Sequence, residues 1–255
     1  MARTGQPSRE RVAAAARAFA ILDVLAESEE LGTNEIARRL GTTASTISRQ
    51  LGTLAEAELV ERVPASGRYR LGIRLVELAG IVLARLDIRT AARPHLEALV
   101  AESGETATLS VAGEPDAITV DFVPAPHHVQ GVTQLGRPSV AHATAAGKVM
   151  LAFSGRMPEP PLHAYTPRTI TDPAALAREL ERVRERGHAE AYEEREADLN
   201  AIAAPVFAAD GTLAGILALQ GPSSRFGRAA RKSLPLLLEH AAAVSRRLGH
   251  RSRSR

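Results

Sequence analysis

The stretch from Thr33 to Leu54 (TNEIARRLGTTASTISRQLGTL) constrains this chain most, because it reads as two short helices joined by a tight turn. Thr33 is expected to cap the first helix, its hydroxyl accepting one of the amides that a first turn leaves unbonded. Gly41 is expected to close it, since a helix end commonly takes a residue tolerant of positive φ. Thr43 stands where a second N-cap belongs, and Ile47, Leu51 and Leu54 then recur as one apolar stripe. The other side carries Ser45, Arg49 and Gly52, flanked by Thr46, Ser48 and Thr53, with no bulky apolar group. A helix so built can lie in a DNA major groove, where hydroxyls meet phosphates or base edges and arginine can fork onto guanine. This is the helix-turn-helix pattern, although helix, glycine turn and helix also follow one another in all-α bundles.

The flanking segments narrow the choice. A helix is expected from Ser8 to Ala26, with Val12, Ala16, Phe19, Ile21, Leu22 and Leu25 on its apolar side. The second helix of the motif is expected to continue to Glu58. The period then changes: residues 59–63, 64–67 and 68–71 read as strand, turn and strand. A hairpin directly after a helix-turn-helix is a wing. Arg62, Arg68 and Arg70 sit at or beside its turn and join Arg38, Arg39 and Arg49 in a local basic surface. Phosphate contacts of that kind position a protein on DNA and make its affinity salt-dependent. A solvated arginine-rich hairpin is the plain alternative. The candidate DNA-contacting set is therefore Thr43, Ser45, Thr46, Ser48, Arg49, Thr53, Arg62, Arg68 and Arg70.

Beyond the wing, residues 72–89 offer a wide apolar surface, formed by Ile73, Leu75, Val76, Leu78, Ile81, Val82, Leu83 and Leu86. A lone helix does not need so much, so packing on a partner subunit is expected. From Thr90 the pattern is mixed. Helices are expected at Pro94–Ser103, Ala141–Phe153, Pro173–Arg186 and Arg228–Leu248, followed by a disordered tail over Arg251–Arg255. Strands are expected at Thr106–Val111, Ala117–Val123, Val129–Leu135, Ala203–Phe207 and Leu213–Leu219, the last two about an Asp210-Gly211 turn. Strands joined mainly as hairpins, with helices set apart, give an α+β class around an antiparallel sheet.

Catalytic signals are absent. With no cysteine among 255 residues, disulfides, thiolate metal sites and cysteine nucleophiles are excluded. The histidines include the pair His127-His128, read as a loop feature, and show no metal-site spacing. No G-x-S-x-G elbow occurs. Ala145-Ala146-Gly147-Lys148 lacks the spacing of a phosphate loop, because Val149 follows the lysine. The acidic run Glu190–Glu196 reads as a solvated loop. No catalytic residue, metal or cofactor is expected. No apolar run reaches the roughly 18–20 residues of a membrane span, and the polar N-terminus shows no signal peptide, so no membrane partner and a cytoplasmic location are expected. A net charge of only +3 makes the distribution of charge more telling than its total.

Three segments of the first half, Ala16–Leu22, Glu35–Gly41 and Gly67–Gly72, resemble the N-terminal domain of IclR-type bacterial transcription regulators. The likeness continues through Val140–Lys148, Tyr165–Thr171, Ile202–Val206 and Gly221-Pro222, in the family's order, so it covers the chain from about Arg11 to Leu248. It implies a winged helix-turn-helix DNA-binding domain (9–71), a linker helix (72–89) and a GAF-like effector-binding domain (90–250). It further implies a homodimer or dimer of dimers that sets two recognition helices on palindromic double-stranded DNA. The implied effector is a small molecule, an organic acid, in a pocket at the helix that opens with Thr144, Ala145 and Ala146; amides at such a terminus favour a carboxylate. Asp198, Ala201, Ala218 and Gln220 would form the other wall, with Phe122 and Phe207 as possible contributors. Asp198 stands where relatives usually have glycine, Ala201 where many have cysteine, and Ala218 and Gln220 where serines are frequent, which implies a different effector from the small keto acids of the best-known relatives. An enzyme with an N-terminal interaction domain, or a winged protein-interaction module, are the alternative readings.

Overall fold

The computed structural model describes residues 6–84, 87–126 and 133–251. It divides into two compact units, Met1–Arg85 and Leu86–Arg255. His127, His128 and the tail from 252 lie outside the described residues.

The first unit contains α1 (Gln6–Ala26), α2 (Thr33–Arg39), α3 (Ala44–Glu56), β1 (Val60–Arg62), β2 (Tyr69–Leu71) and α4 (Arg74–Ala84). Its core joins Ile21 and Leu25 of α1, Ile36 of α2, the α3 stripe Ile47, Leu51 and Leu54, and Val60 of β1. Burying each such side chain contributes about 1.5–3 kcal/mol, which is why the stripe fixes the face that α3 turns outward. Thr43 caps α3 as expected, its Oγ1 accepting the Thr46 amide at 3.3 Å. Gly41 takes φ +59°, the left-handed turn between the two helices. The cap of α2 differs from expectation: the N-cap is Gly32, and Thr33 is already helical. Glu35 reaches back to accept the Gly32 amide at 3.0 Å, the glutamate half of a capping box, and no side chain caps the first-turn amides. That bond, with the Arg68 charge beside it, holds the Glu35 carboxyl below its ordinary value.

Helix α3 stops at Glu56, two residues short of expectation, because Glu58 adopts φ +57°. Gly72 then passes so close that a Cβ there would lie 2.1 Å from the Glu58 carbonyl oxygen, while its amide donates to Leu59 O at 2.9 Å. Strands β1 and β2 pair antiparallel, with Glu61 opposite Arg70, and Leu31 pairs with Tyr69 through both main-chain bonds, at 2.9 and 2.8 Å. Ile73, just before α4, and Val76, Leu78 and Ile81 on it are exposed, at 41–65% of their surface.

The second unit contains α5 (Asp87–Ser103), β3 (Thr106–Val111), β4 (Ala117–Val123), β5 (Pro138–Ser139), α6 (Ala145–Ser154), α7 (Pro173–Arg186), β6 (Ala189–Tyr192), β7 (Leu199–Phe207), β8 (Leu213–Pro222) and α8 (Ser223–Arg247). The sheet runs β5-β4-β3-β8-β7-β6, antiparallel throughout. Helices α6 and α7 pack on Ala189, Ala191, Ala203, Ile216 and Ala218. Alternate residues such as Ile202, Leu217 and Leu219 point to the other face and are also buried, which explains why these strands read as unbroken apolar runs. The class is α+β with an antiparallel sheet, as the sequence implies.

Several boundaries move. Of the strand expected over Val129–Leu135, residues 129–132 lie outside the described residues and Thr133–Leu135 belong to no strand; the sheet edge is β5 instead. Helix α5 begins before Pro94 and carries it within. Helix α6 begins at Ala145, since Val140–Thr144 is a turn that ends in the cap. Strand β6 takes in Glu190–Tyr192, the start of the acidic run that reads as a loop. Among the described residues no helix is long and apolar enough to cross a membrane.

Candidate functional site

On α3 the outward face carries Ser45, Ser48, Arg49 and Thr53, all exposed, with Thr46 half-buried. The hydroxyls at its start are knotted together: Thr43 Oγ1 lies 3.1 Å from Ser45 Oγ and 2.9 Å from Thr46 Oγ1. Thr53 donates back to Arg49 O at 3.4 Å. The Arg49 guanidinium has no ion pair or hydrogen bond among the described residues, so it extends from the face as a free cation. In the wing, Arg62 Nε donates to Gly67 O at 3.2 Å and Arg70 pairs with Glu61 across the strands, both groups remaining exposed. Arg68 behaves differently. It ion-pairs with Glu35, approaches Glu30 at 3.6 Å and donates to Glu30 O at 3.2 Å, tying the wing to the start of α2. Its charge is engaged inside the unit, whereas the sequence placed it with the phosphate contacts.

In the second unit a cavity opens against the start of α6. Thr144 is the N-cap: its Oγ1 accepts the Gly147 amide at 3.0 Å and donates to Val140 O at 3.0 Å. Gly147 is required, because a Cβ there would sit 2.4 Å from Val140 O and 2.5 Å from Ala141 O. Thr144, Ala145, Ala146, Ala201, Ala218 and Gln220 all line this cavity. Asp198 does not. It takes φ +64° and its carbonyl accepts the Ser223 amide at 2.8 Å, so it shapes a turn in the conformation glycine adopts most easily. Phe122 and Phe207 are not in the lining either; Phe207 stacks edge-on against Phe153, 5.3 Å away. Thr108, Thr119, Thr133, Arg137, Glu194 and Glu196 are lining residues that sequence reading missed. Gln220 is held by Thr133, its Nε2 donating to Oγ1 at 2.7 Å, and Arg137 pairs with Glu196.

Behind the cavity lies a buried ion pair. Lys148, 1% exposed, donates from Nζ to Glu194 Oε1 at 2.6 Å and to Glu190 O at 3.0 Å. Burial pushes the Glu194 carboxyl above its ordinary value, against the opposing charge of Lys148. The loop from Tyr165 fixes Glu194 from outside. Thr169 Oγ1 accepts the amides of Tyr165 and Thr166 and donates to Glu194 O at 2.6 Å, while Thr166 Oγ1 donates to Glu193 O at 2.6 Å. The Arg195 guanidinium lies 3.9 Å over the Tyr165 ring. The acidic run is thus an internal element of the site and not the solvated loop expected from its composition. One signal pointed there: a single lysine in the otherwise apolar run of α6 needs a counter-charge if it is buried. Nearby, Glu105 takes Arg225 in a bidentate pair at 2.7 and 2.8 Å, and Gly221 lacks a Cβ that would come within 2.3 Å of that carboxylate. Among the described residues no cluster of three or more His, Cys, Asp or Glu is placed to hold a metal ion.

Comparison with known proteins matches both units. The family model described as bacterial transcriptional regulator IclR, C-terminal, covers residues 80–246, and that of the IclR helix-turn-helix domain covers residues 14–64. The chain is 34% identical over 241 residues to the glycerol operon regulatory protein of Streptomyces griseus, covering 91% of this chain and 95% of that one. It is 31% identical over 245 residues to the HTH-type transcriptional regulator XynR of Escherichia coli (strain K12), covering 92% and 96%. Among solved structures, an IclR transcriptional regulator from Alicyclobacillus acidocaldarius superposes with a TM-score of 0.77 at 29% identity, covering 92% and 98%. An IclR homolog from Microbacterium hydrocarbonoxydans complexed with 4-hydroxybenzoate gives a TM-score of 0.77 at 26% identity, with the same coverage. With its reading helix and its sheet domain both matched, the protein belongs to the IclR family of DNA-binding bacterial transcriptional regulators.

Proposed function

We propose that the protein binds a palindromic operator as a homo-oligomer and that an organic acid in the cavity at α6 tunes that affinity, by binding without turnover and in the cytoplasm. The observation that carries the effector reading is the start of α6. Thr144 occupies the Gly147 amide, while the amides of Ala145 and Ala146 have no acceptor among the described residues and belong to cavity-lining residues. A carboxylate is the group that such a terminus favours. The 4-hydroxybenzoate held by the Microbacterium homolog is an acid of that kind. The exposed apolar groups of α4 supply a surface for a second copy, and two-fold pairing sets two α3 helices on the two halves of a palindrome.

In this reading residues 9–71 form the DNA-binding part, 72–89 the link and 90–250 the effector part. Arg49 reads a base, Thr43, Ser45, Thr46, Ser48 and Thr53 supply hydroxyl contacts, and Arg62 and Arg70 meet phosphates, with Arg68 holding the wing in place. An effector shifts operator affinity only as far as it distinguishes the competent from the incompetent state. Fluorescence anisotropy on upstream DNA at fixed salt tests this. Arg49→Ala is expected to weaken specific binding by about 1–3 kcal/mol and to relax selectivity at one base pair. Unchanged affinity removes Arg49 from the reading set, and an operator affinity indifferent to every cavity ligand removes the regulatory role of the cavity.

A further inference from the structure

Glu194 has one carboxylate oxygen that the fold leaves unused. Oε1 takes the Lys148 ammonium, whereas Oε2 is buried with no hydrogen-bond partner. The residue is only 9% exposed, and it lines the same cavity as Ala145 and Ala146. A buried acceptor without a donor is costly, and more so when it carries charge. The side chain has little freedom to escape that cost. Lys148 holds Oε1, and Thr166 and Thr169 hold the main chain at Glu193 and Glu194.

The rest of the lining says what kind of donor suits this oxygen. Among the described residues that line the cavity none is aromatic, so no ring is offered for stacking. Thr108, Thr119 and Thr133 contribute hydroxyls and Gln220 an amide, groups that suit a hydroxylated aliphatic body better than a flat apolar one.

We infer that Glu194 Oε2 is a specificity contact for the effector, and that the effector is an aliphatic hydroxy acid whose carboxylate caps α6 while one of its hydroxyls donates to Glu194. The inference rests on the effector reading above and names the ligand class of that site. An analogue lacking the hydroxyl would leave Oε2 orphaned again. Sites built to bond a hydroxyl reject such analogues far more strongly than apolar pockets reject a missing methylene.

The test is calorimetry and thermal shift on the full chain with matched acids, glycerate against propionate and gluconate against hexanoate. In at least one pair the hydroxylated acid is expected to bind roughly tenfold or more tightly than its partner. In Glu194→Gln, which keeps an oxygen for Lys148 but presents an N–H in place of the free acceptor, that ratio is expected to fall toward one. Equal binding within every pair by the wild type overturns the assignment without need of any variant. A panel with no binder, or undiminished discrimination in the folded variant, overturns it too. The two readings fail separately. Hydroxy acids that discriminate through Glu194 yet leave operator affinity unmoved sink the regulatory reading alone. Acids that shift operator affinity with or without their hydroxyls sink the Glu194 assignment alone.

Discussion

Replacing Lys148 by methionine isolates what the buried pair does. Methionine fills most of the lysine's volume, so packing changes little. Glu194 loses the ammonium at 2.6 Å and the Glu190 carbonyl loses its donor at 3.0 Å. Removing one partner of a buried pair costs about 3–5 kcal/mol, because the remaining charge is uncompensated. Set against a typical domain stability of about 5–15 kcal/mol, that brings the second unit close to unfolding. The loss depends on pH in a definite direction. Burial already raises the Glu194 pKa, and Lys148 is the chief influence against it, so the variant's folded-state value rises further while the unfolded value stays put. A group whose folded pKa is raised contributes stability that is present below its unfolded pKa and is lost as pH rises through the folded one. The deficit of Lys148→Met is therefore smallest near the ordinary glutamate value of 4.5 and grows toward alkaline pH. Urea unfolding of the full chain, followed by circular dichroism across that range, measures it. Adding Glu194→Leu is expected to recover much of the loss, since an apolar pair of similar volume can replace a buried ion pair. A loss under about 1 kcal/mol that stays flat with pH would refute the reasoning, because that is how a solvated surface pair behaves.

Gly147→Ala forces a methyl against two main-chain oxygens, so the first turn of α6 must shift; a cost of about 1–3 kcal/mol is expected, with loss of cavity ligands, by thermal shift and ligand titration. Thr43→Ala removes the α3 cap and the anchor of the Ser45 and Thr46 hydroxyls; about 1 kcal/mol in urea unfolding is expected, together with weaker operator binding. His95 Nδ1 lies 2.8 Å from His240 Nδ1, so at least one ring must be neutral there. Burial, then the charge of His240, hold the His95 pKa below its ordinary 6.5. Its contribution is thus present above that value and lost as pH falls below it. The melting temperature should drop on mild acidification, and His95→Gln should flatten that part of the profile.

What was legible in the sequence was local. The α3 stripe and the Thr43 cap depend on residues within a turn or two of each other, and they emerged as read. Thr33 lost its place as a cap because it is already helical: the N-cap is Gly32, whose amide is taken by Glu35 three residues on. The role of Arg68 turns on Glu30 and Glu35, more than thirty positions away, and only the folded hairpin brings them together. The same holds for Lys148 and Glu194, which meet once α6 has docked on the sheet beside β6. Position within a motif put Asp198 in the cavity wall. Its backbone at positive φ directs the chain otherwise, and the carboxylate residues that do line the cavity, Glu194 and Glu196, lie four and two positions earlier.

The Arg68 tie and the double main-chain bond between Leu31 and Tyr69 order the wing within its unit, so in the proposed complex it would meet DNA already ordered. Ordering a mobile interface side chain costs about 0.5–1.5 kcal/mol, and a hairpin that folded only on contact would multiply that penalty. With the wing held at its base, the proposed contacts would leave that penalty to the tips of Arg62 and Arg70 and of Arg49 on α3. The heat-capacity change on operator binding should then reflect buried surface alone, without the larger signature of a segment that folds as it binds.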